Sequence, residues 1–109
     1  MREATWKDRI LLMFGRLRAI RVAGDSMRPN LNDDDVVLVG PPSSISVGDI
    51  VLANHPFKSS VTILKRVVRI DDLGRYDLRG DDPAESSDSR SFGNVRREHI
   101  RGKVVCRLK

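Results

Sequence analysis

Val61-Thr62-Ile63-Leu64-Lys65-Arg66-Val67-Val68-Arg69-Ile70 is an unbroken run rich in β-branched side chains. Such side chains suit a pleated, half-buried surface, so the run reads as a strand. A period of two places Val61, Ile63, Lys65 and Val67 on one face, and Thr62, Leu64, Arg66, Val68 and Ile70 on the other. Both faces are mostly apolar, so at least one basic residue points toward poorly hydrated surroundings.

Working outward, the same pattern recurs in shorter pieces. Upstream lie Ile20-Arg21-Val22-Ala23, Val36-Val37-Leu38-Val39 and Ile50-Val51-Leu52-Ala53. Downstream lie Tyr76-Asp77-Leu78-Arg79 and Val104-Val105-Cys106-Arg107-Leu108. Gly40-Pro41-Pro42, Gly48-Asp49, Asn54-His55-Pro56, Lys58-Ser59-Ser60 and Asp71 to Arg75 punctuate these runs as turns. Asn32-Asp33-Asp34-Asp35 also reads as a turn, because no further ligands follow it at calcium-loop spacing. Many short strands with one helix predict a mainly β fold, a small coiled β-sheet domain. At 109 residues the chain is expected to form one domain.

The helix is expected near the N-terminus. Thr5 and Asp8 have capping-box spacing. Trp6, Ile10, Met13 and Leu17 then recur at four, three and four, one helical stripe that should pack on the chain's own domain. An interfacial membrane helix is the alternative. Residues 1–19 thus read as a helical N-terminal segment and 20–109 as the β domain.

Composition narrows the function classes. Twenty Lys+Arg against 15 Asp+Glu give a net charge of +5. The basic residues are dispersed among acids, and one Trp, one Tyr and three Phe offer little stacking surface, so nucleic acid is not the expected partner. The charge fits solubility or weak contact with an anionic membrane surface. Cys106 stands alone, which excludes an internal disulfide and leaves no metal cluster with the two distant histidines. Neither metal nor cofactor is expected. The thiol fits a reducing compartment, and no apolar run approaches the ~20 residues a bilayer requires. These readings predict a cytoplasmic protein without a transmembrane segment.

Two residues suggest chemistry. In Gly24-Asp25-Ser26-Met27-Arg28-Pro29-Asn30-Leu31, glycine allows unusual dihedrals, proline fixes a turn, and Met27 and Leu31 can anchor the loop sideways. Ser26 is left pointing outward. Burial lowers the pKa of Lys65, whereas arginine stays charged, so Lys65 but not Arg66 can become a neutral amine. A neutral lysine beside a serine is a general base for attack on a carbonyl. His55, before a proline, and His99, in a charged run, read as surface residues; a Ser-Lys pair needs no histidine. A third stretch, Gly80 to Val95, is dense in hydrogen-bonding side chains, and Asp88 and Arg90 are close enough to form a charge-assisted bond.

Together, in order, these stretches resemble the type I signal peptidase family of serine-lysine proteases over about Gly24 to Val104. Gly24 to Leu31 looks like the nucleophile box, Gly48-Asp49-Ile50-Val51 the following strand box, and Leu64-Lys65-Arg66-Val67-Val68 the general-base box. Gly80-Asp81-Asp82 through Ser86, Asp88, Ser89, Arg90, Phe92, Gly93 and Val95 looks like the last box, and Gly102-Lys103-Val104 the motif after it. The resemblance implies that Ser26 is the nucleophile and Lys65 the base, that Ser86 orients the amine, and that Asp88 with Arg90 braces the loop. Some family members carry a serine hydroxyl at the position of Gly24, so here backbone amides would have to hold the oxyanion. Asn30 replaces the usual threonine.

The sequence shows neither an anchor nor the large insertion common between the last two boxes, and only about fifteen residues separate Lys65 from Gly80. With His55-Pro56, this looks most like the nickel-type superoxide dismutase maturation proteases. That likeness implies a precursor with an N-terminal leader as partner, namely the nickel superoxide dismutase precursor. A self-cleaving repressor of the SOS type shares the dyad, but the stretch ahead of Ser26 is too short for a DNA-binding domain plus linker. A silent peptide- or nucleic-acid-binding β module is the alternative outside enzymes.

Overall fold

The computed structural model describes residues 1–85 and 87–109. After helix α1 (Trp6–Met13), the strands are β1 (Arg18–Arg21), β2 (Val36–Gly40), β3 (Ile50–His55), β4 (Lys58–Ile70), β5 (Tyr76–Arg79) and β6 (Ile100–Arg107). Among the described residues these six form one antiparallel sheet in the order β1-β2-β6-β3-β4-β5. The fold is mainly β, with short helical pieces.

Register shifts interrupt the pairings at Leu38/Val39, Leu52/Ala53, Asn54/His55 and Val67/Arg69. Each adds local twist, which lets a single sheet curl around its own apolar face. Alternation along the strands then separates three apolar clusters. Val37, Val39, Ile50, Leu52 and Val104 enclose the first with Met27 and Leu31 from the serine loop. Val51, Ala53, Val67 and Leu78 build the second with Tyr76 and Val95. Leu38 and Cys106, opposite each other on β2 and β6, face away from the first cluster and meet Leu12 and Leu17.

Several boundaries differ from the sequence reading. β1 begins two residues before Ile20 and stops at Arg21, while β6 starts four residues before Val104. The β3–β4 turn tightens to Pro56 and Phe57, so Lys58-Ser59-Ser60 extends β4 to 13 residues. The Gly80 to Val95 stretch holds a 3-10 turn at Pro83–Glu85 and a short helix α2 at Ser89–Phe92 capped by Asp88.

The helix corrects a larger expectation. Thr5 and Asp8 do form the capping box, but the Trp6–Ile10–Met13 stripe faces outward. Asp8 is the reason. Its carboxylate accepts two bonds from Arg2, at 2.6 and 3.0 Å, and one from the Thr5 amide at 2.8 Å. These bonds, Arg2 first, hold the Asp8 pKa well below the usual carboxylate range. With Asp8 and Leu12 turned inward, residues on the opposite arc have nowhere to pack.

β2 and β6 approach closely at Gly102. A Cβ there would stand 2.3 Å from Val39 Cγ1 and 2.9 Å from the Gly40 carbonyl oxygen. Gly102→Ala is therefore expected to destabilise the fold by about 1–3 kcal/mol, read as a lower urea midpoint at unchanged m-value. An unchanged midpoint would mean that β2 and β6 separate freely.

Candidate active site

The serine loop leaves the edge of the sheet after β1. Gly24 takes a φ of +87°, a left-handed conformation that strains other residues, and its amide donates to Asp33 Oδ1 at 2.7 Å. Asp35 accepts from the Asn32 amide, and Asp34 pairs with Arg21 at 2.7 Å, so the acids build and brace this turn. Met27 and Leu31 bury completely, the Leu31 amide donates to the Met27 carbonyl at 2.9 Å, and the Arg28–Pro29 peptide is cis. Immediately before the first of these anchors, Ser26 stays half-buried.

β4 carries Lys65 directly opposite Val51 of β3, on the face of Ile63 and Val67. Lys65 is only 5% exposed. Desolvation lowers its pKa from the ordinary 10.5; the nearby Asp88 carboxylate opposes that shift and the Arg90 guanidinium adds to it. Asp88, itself buried, is occupied by Arg90 through contacts of 3.0 and 2.7 Å, and accepts the Gly80 amide at 3.1 Å.

Ser26 and Lys65 meet in two adjoining cavities. The first, of about 190 Å³, is walled by Ile20 and Val22 on one side and by Thr62, Ile63 and Leu64 on the other. The second, of about 360 Å³, adds Gly24, Asp25, His55, Lys58, Val61 and Ser87. The flanks of the first cavity are strand edges. β1 pairs with β2 alone, and β5 pairs with β4 only from Arg66 onward, which leaves the outer edge of 58–65 without a neighbouring strand among the described residues. Ser86 lies outside the described residues.

The sequence reading assigned no role in the cleft to Asp81, Asp82 or His55. Asp81 accepts from Arg66 Nε and Nη2, both at 2.9 Å, and from Asn30 Nδ2 at 2.8 Å. Burial works against its charge, but the Arg66 and Asn30 bonds outweigh that and lower its pKa. The Asp82 amide also donates to the Ser26 carbonyl at 2.8 Å. The signal was an acidic pair after Gly80 facing arginines, with no sequence cue to which partners close in space. His55, read as a surface turn residue, instead ends β3 on the cleft wall. Its Nδ1 accepts the Phe57 amide at 3.1 Å, and its ring meets Phe92 edge-on at 4.8 Å.

A curled antiparallel sheet with a hydroxyl and a buried amine in a cleft between strand edges fits a small peptide-processing domain. Residues 3–105 match the Peptidase S24-like family, and the chain belongs to it. It is also similar to mitochondrial inner membrane protease subunit 1 of Xenopus tropicalis, 34% identical across 79% of this chain and 65% of that protein. The same subunit of Schizosaccharomyces pombe is 31% identical across 79% and 69%, and that of Homo sapiens 27% across 82% and 68%. The chain spans about two-thirds of the length of these curated relatives. It is thus a peptidase-family domain homologous to subunits of a signal-peptidase-like protease.

These relatives overturn the expected cytoplasmic location, since they are subunits of an inner membrane protease and membrane-associated. A single thiol speaks to redox chemistry and carries no information about membrane association.

Asp81→Ala should leave Arg66 partly buried without its carboxylate and free Asn30 in the serine loop. We expect a loss of about 1–3 kcal/mol in urea unfolding, with Asp81→Asn intermediate. Equal stability of all three chains would reduce the bridge to a surface contact.

Proposed function

We propose that this domain is a serine endopeptidase working through a Ser26–Lys65 dyad. The observation that carries the reading is a lysine buried and desolvated in the cleft where a half-exposed serine sits. Neutral Lys65 accepts the Ser26 hydroxyl proton as Oγ attacks the scissile carbonyl. The lysine returns that proton to the departing amine, leaving an acyl-serine. Water, deprotonated by the same amine, then releases the acid and regenerates the hydroxyl. Backbone amides, including that of Ser26, hold the oxyanion, and Gly24 allows the chain to turn so that they can converge. Arg90 occupies Asp88, and Ser86 is the proposed orienting hydroxyl for the amine.

The substrate binds as an extended strand against the free edges of β1 and β4, its side chains entering the two cavities. It is a precursor with an N-terminal leader. The short Lys65–Gly80 spacing and His55-Pro56 favour the nickel superoxide dismutase precursor. Purified chain mixed with that precursor should expose one new amino terminus, detected by mass spectrometry. Cleavage confined to other, membrane-inserted precursors would reject this substrate and keep the dyad.

The dyad has its own test. Ser26→Ala should fold and not cut. In the parent the cleavage rate should climb with pH as Lys65 loses its proton. Folded Lys65 deprotonates below 10.5, so between its folded and ordinary values the folded chain binds fewer protons than the unfolded chain. Stability therefore rises with pH across that window, and the full penalty applies below the folded pKa. Each unit of depression is worth about 1.4 kcal/mol. Lys65→Met should abolish cleavage and gain most over the parent at the acid end, the gap closing toward 10.5. A Lys65→Met chain that still cuts would refute the assignment.

A further inference from the structure

We propose that the outward face of helix α1 docks on an anionic lipid bilayer surface. Trp6 is 67% exposed, Met13 82% and Phe14, at the helix C-cap, 77%, with Ile10 and Leu11 also open to solvent. Trp6, Ile10 and Met13 share one arc at spacings of four and three, and Phe14 adjoins it. Large apolar side chains gathered on so short a helix form an interaction surface rather than scattered exposure.

The charges around the arc select the occupant. Lys7, Arg9 and Arg16 are all exposed, and none makes an ion pair among the described residues. The two acids of this segment are spent elsewhere, Asp8 inward on Arg2 and Glu3 on Arg107. The Lys7 ammonium lies 5.7 Å from the centre of the Trp6 ring, pairing an amphipathic aromatic with a cation. Apolar side chains rimmed by unneutralised cations, with tryptophan at the boundary, match headgroups and acyl chains of an anionic leaflet. A second copy of this chain would instead set like charges against each other.

The geometry also leaves the cleft clear. α1 packs through Leu12, joined by Leu17 from the connector to β1, over Leu38 and Cys106, the sheet face opposite Val37, Val39 and the anchors of the serine loop. A bilayer against α1 therefore lies behind the sheet, away from Ser26. This inference does not depend on the dyad.

Trp6 is the sole tryptophan, so it reports on its own face. The full chain is mixed with phosphatidylcholine vesicles, with or without about 30 mol% phosphatidylglycerol. With the anionic lipid, Trp6 emission should move to shorter wavelength and the protein should co-sediment, at least about tenfold more tightly than with neutral vesicles. Salt should weaken the binding. Met13→Ser with Phe14→Ser, and separately Lys7→Glu with Arg9→Glu, should each cost about tenfold or more in vesicle binding. Circular dichroism checks that both variants stay folded, as exposed positions should allow. Absence of binding, binding indifferent to both pairs of substitutions, or a shift that follows protein concentration without lipid would overturn the proposal. The last outcome would assign the face to a second copy.

Discussion

The Asp81 carboxylate is the constraint on which the rest of the cleft depends. It holds Arg66 of β4 with two parallel bonds and Asn30 of the serine loop with a third. Stretches more than fifty residues apart in sequence are thereby fixed to one another. The consequence for Lys65 follows from strand geometry. Adjacent residues point to opposite faces, so securing Arg66 on one side commits Lys65 to the other. A one-residue slip would exchange them and put a permanently charged guanidinium where an amine able to lose its proton now sits. Arg66 also donates to the Gly48 carbonyl at 2.7 Å, which ties the same register to the start of β3.

Around Lys65 the balance of charge matters as much as burial. Desolvation favours the neutral amine, but Asp88 stands near enough to favour the ammonium. Arg90 restores the balance. By bonding both carboxylate oxygens of Asp88 it spreads their charge, and its own positive charge disfavours a second cation nearby. Asp88 also caps α2 and accepts the Gly80 amide, so it is kept for architecture while its field is offset by a neighbour two residues on.

What was legible in the sequence was local. Short apolar or alternating runs bounded by turn residues located the six strands, the Thr5–Asp8 spacing located the helix start, and the apolar Met27 and Leu31 marked the residues that sink the serine loop. Lys65 stood out because one charged residue in an apolar strand face has few explanations. The remainder depended on partners distant in the chain. Asp81 could not be matched to Arg66 without knowing the fold. The helical stripe gave the correct period and the wrong face, because periodicity is indifferent to rotation and the Arg2–Asp8 contact set the angle. The extra residues at the start of β4 are polar and exposed. Lys58 is strand because His55 of β3 templates it, not from its own propensity, and Ser59 and Ser60 bridge the register shift that follows.

That templated extension bears on function. An unpaired strand edge exposes amides and carbonyls that invite another chain, so proteins usually shorten, charge or cover such edges. This domain keeps two of them facing one cleft. β1 is short and carries exposed Arg18 and Arg21, and the free half of β4 opens with Lys58, Ser59 and Ser60, which discourages indiscriminate pairing. Between these polar stretches the walls turn apolar at Ile20, Val22, Ile63 and Leu64, where Ser26 and Lys65 also lie. An extended peptide can therefore gain backbone bonds along the edges and bury side chains only where the hydroxyl and the amine converge. The arrangement that guards the sheet against aggregation also fixes where along the groove a bound strand would be held.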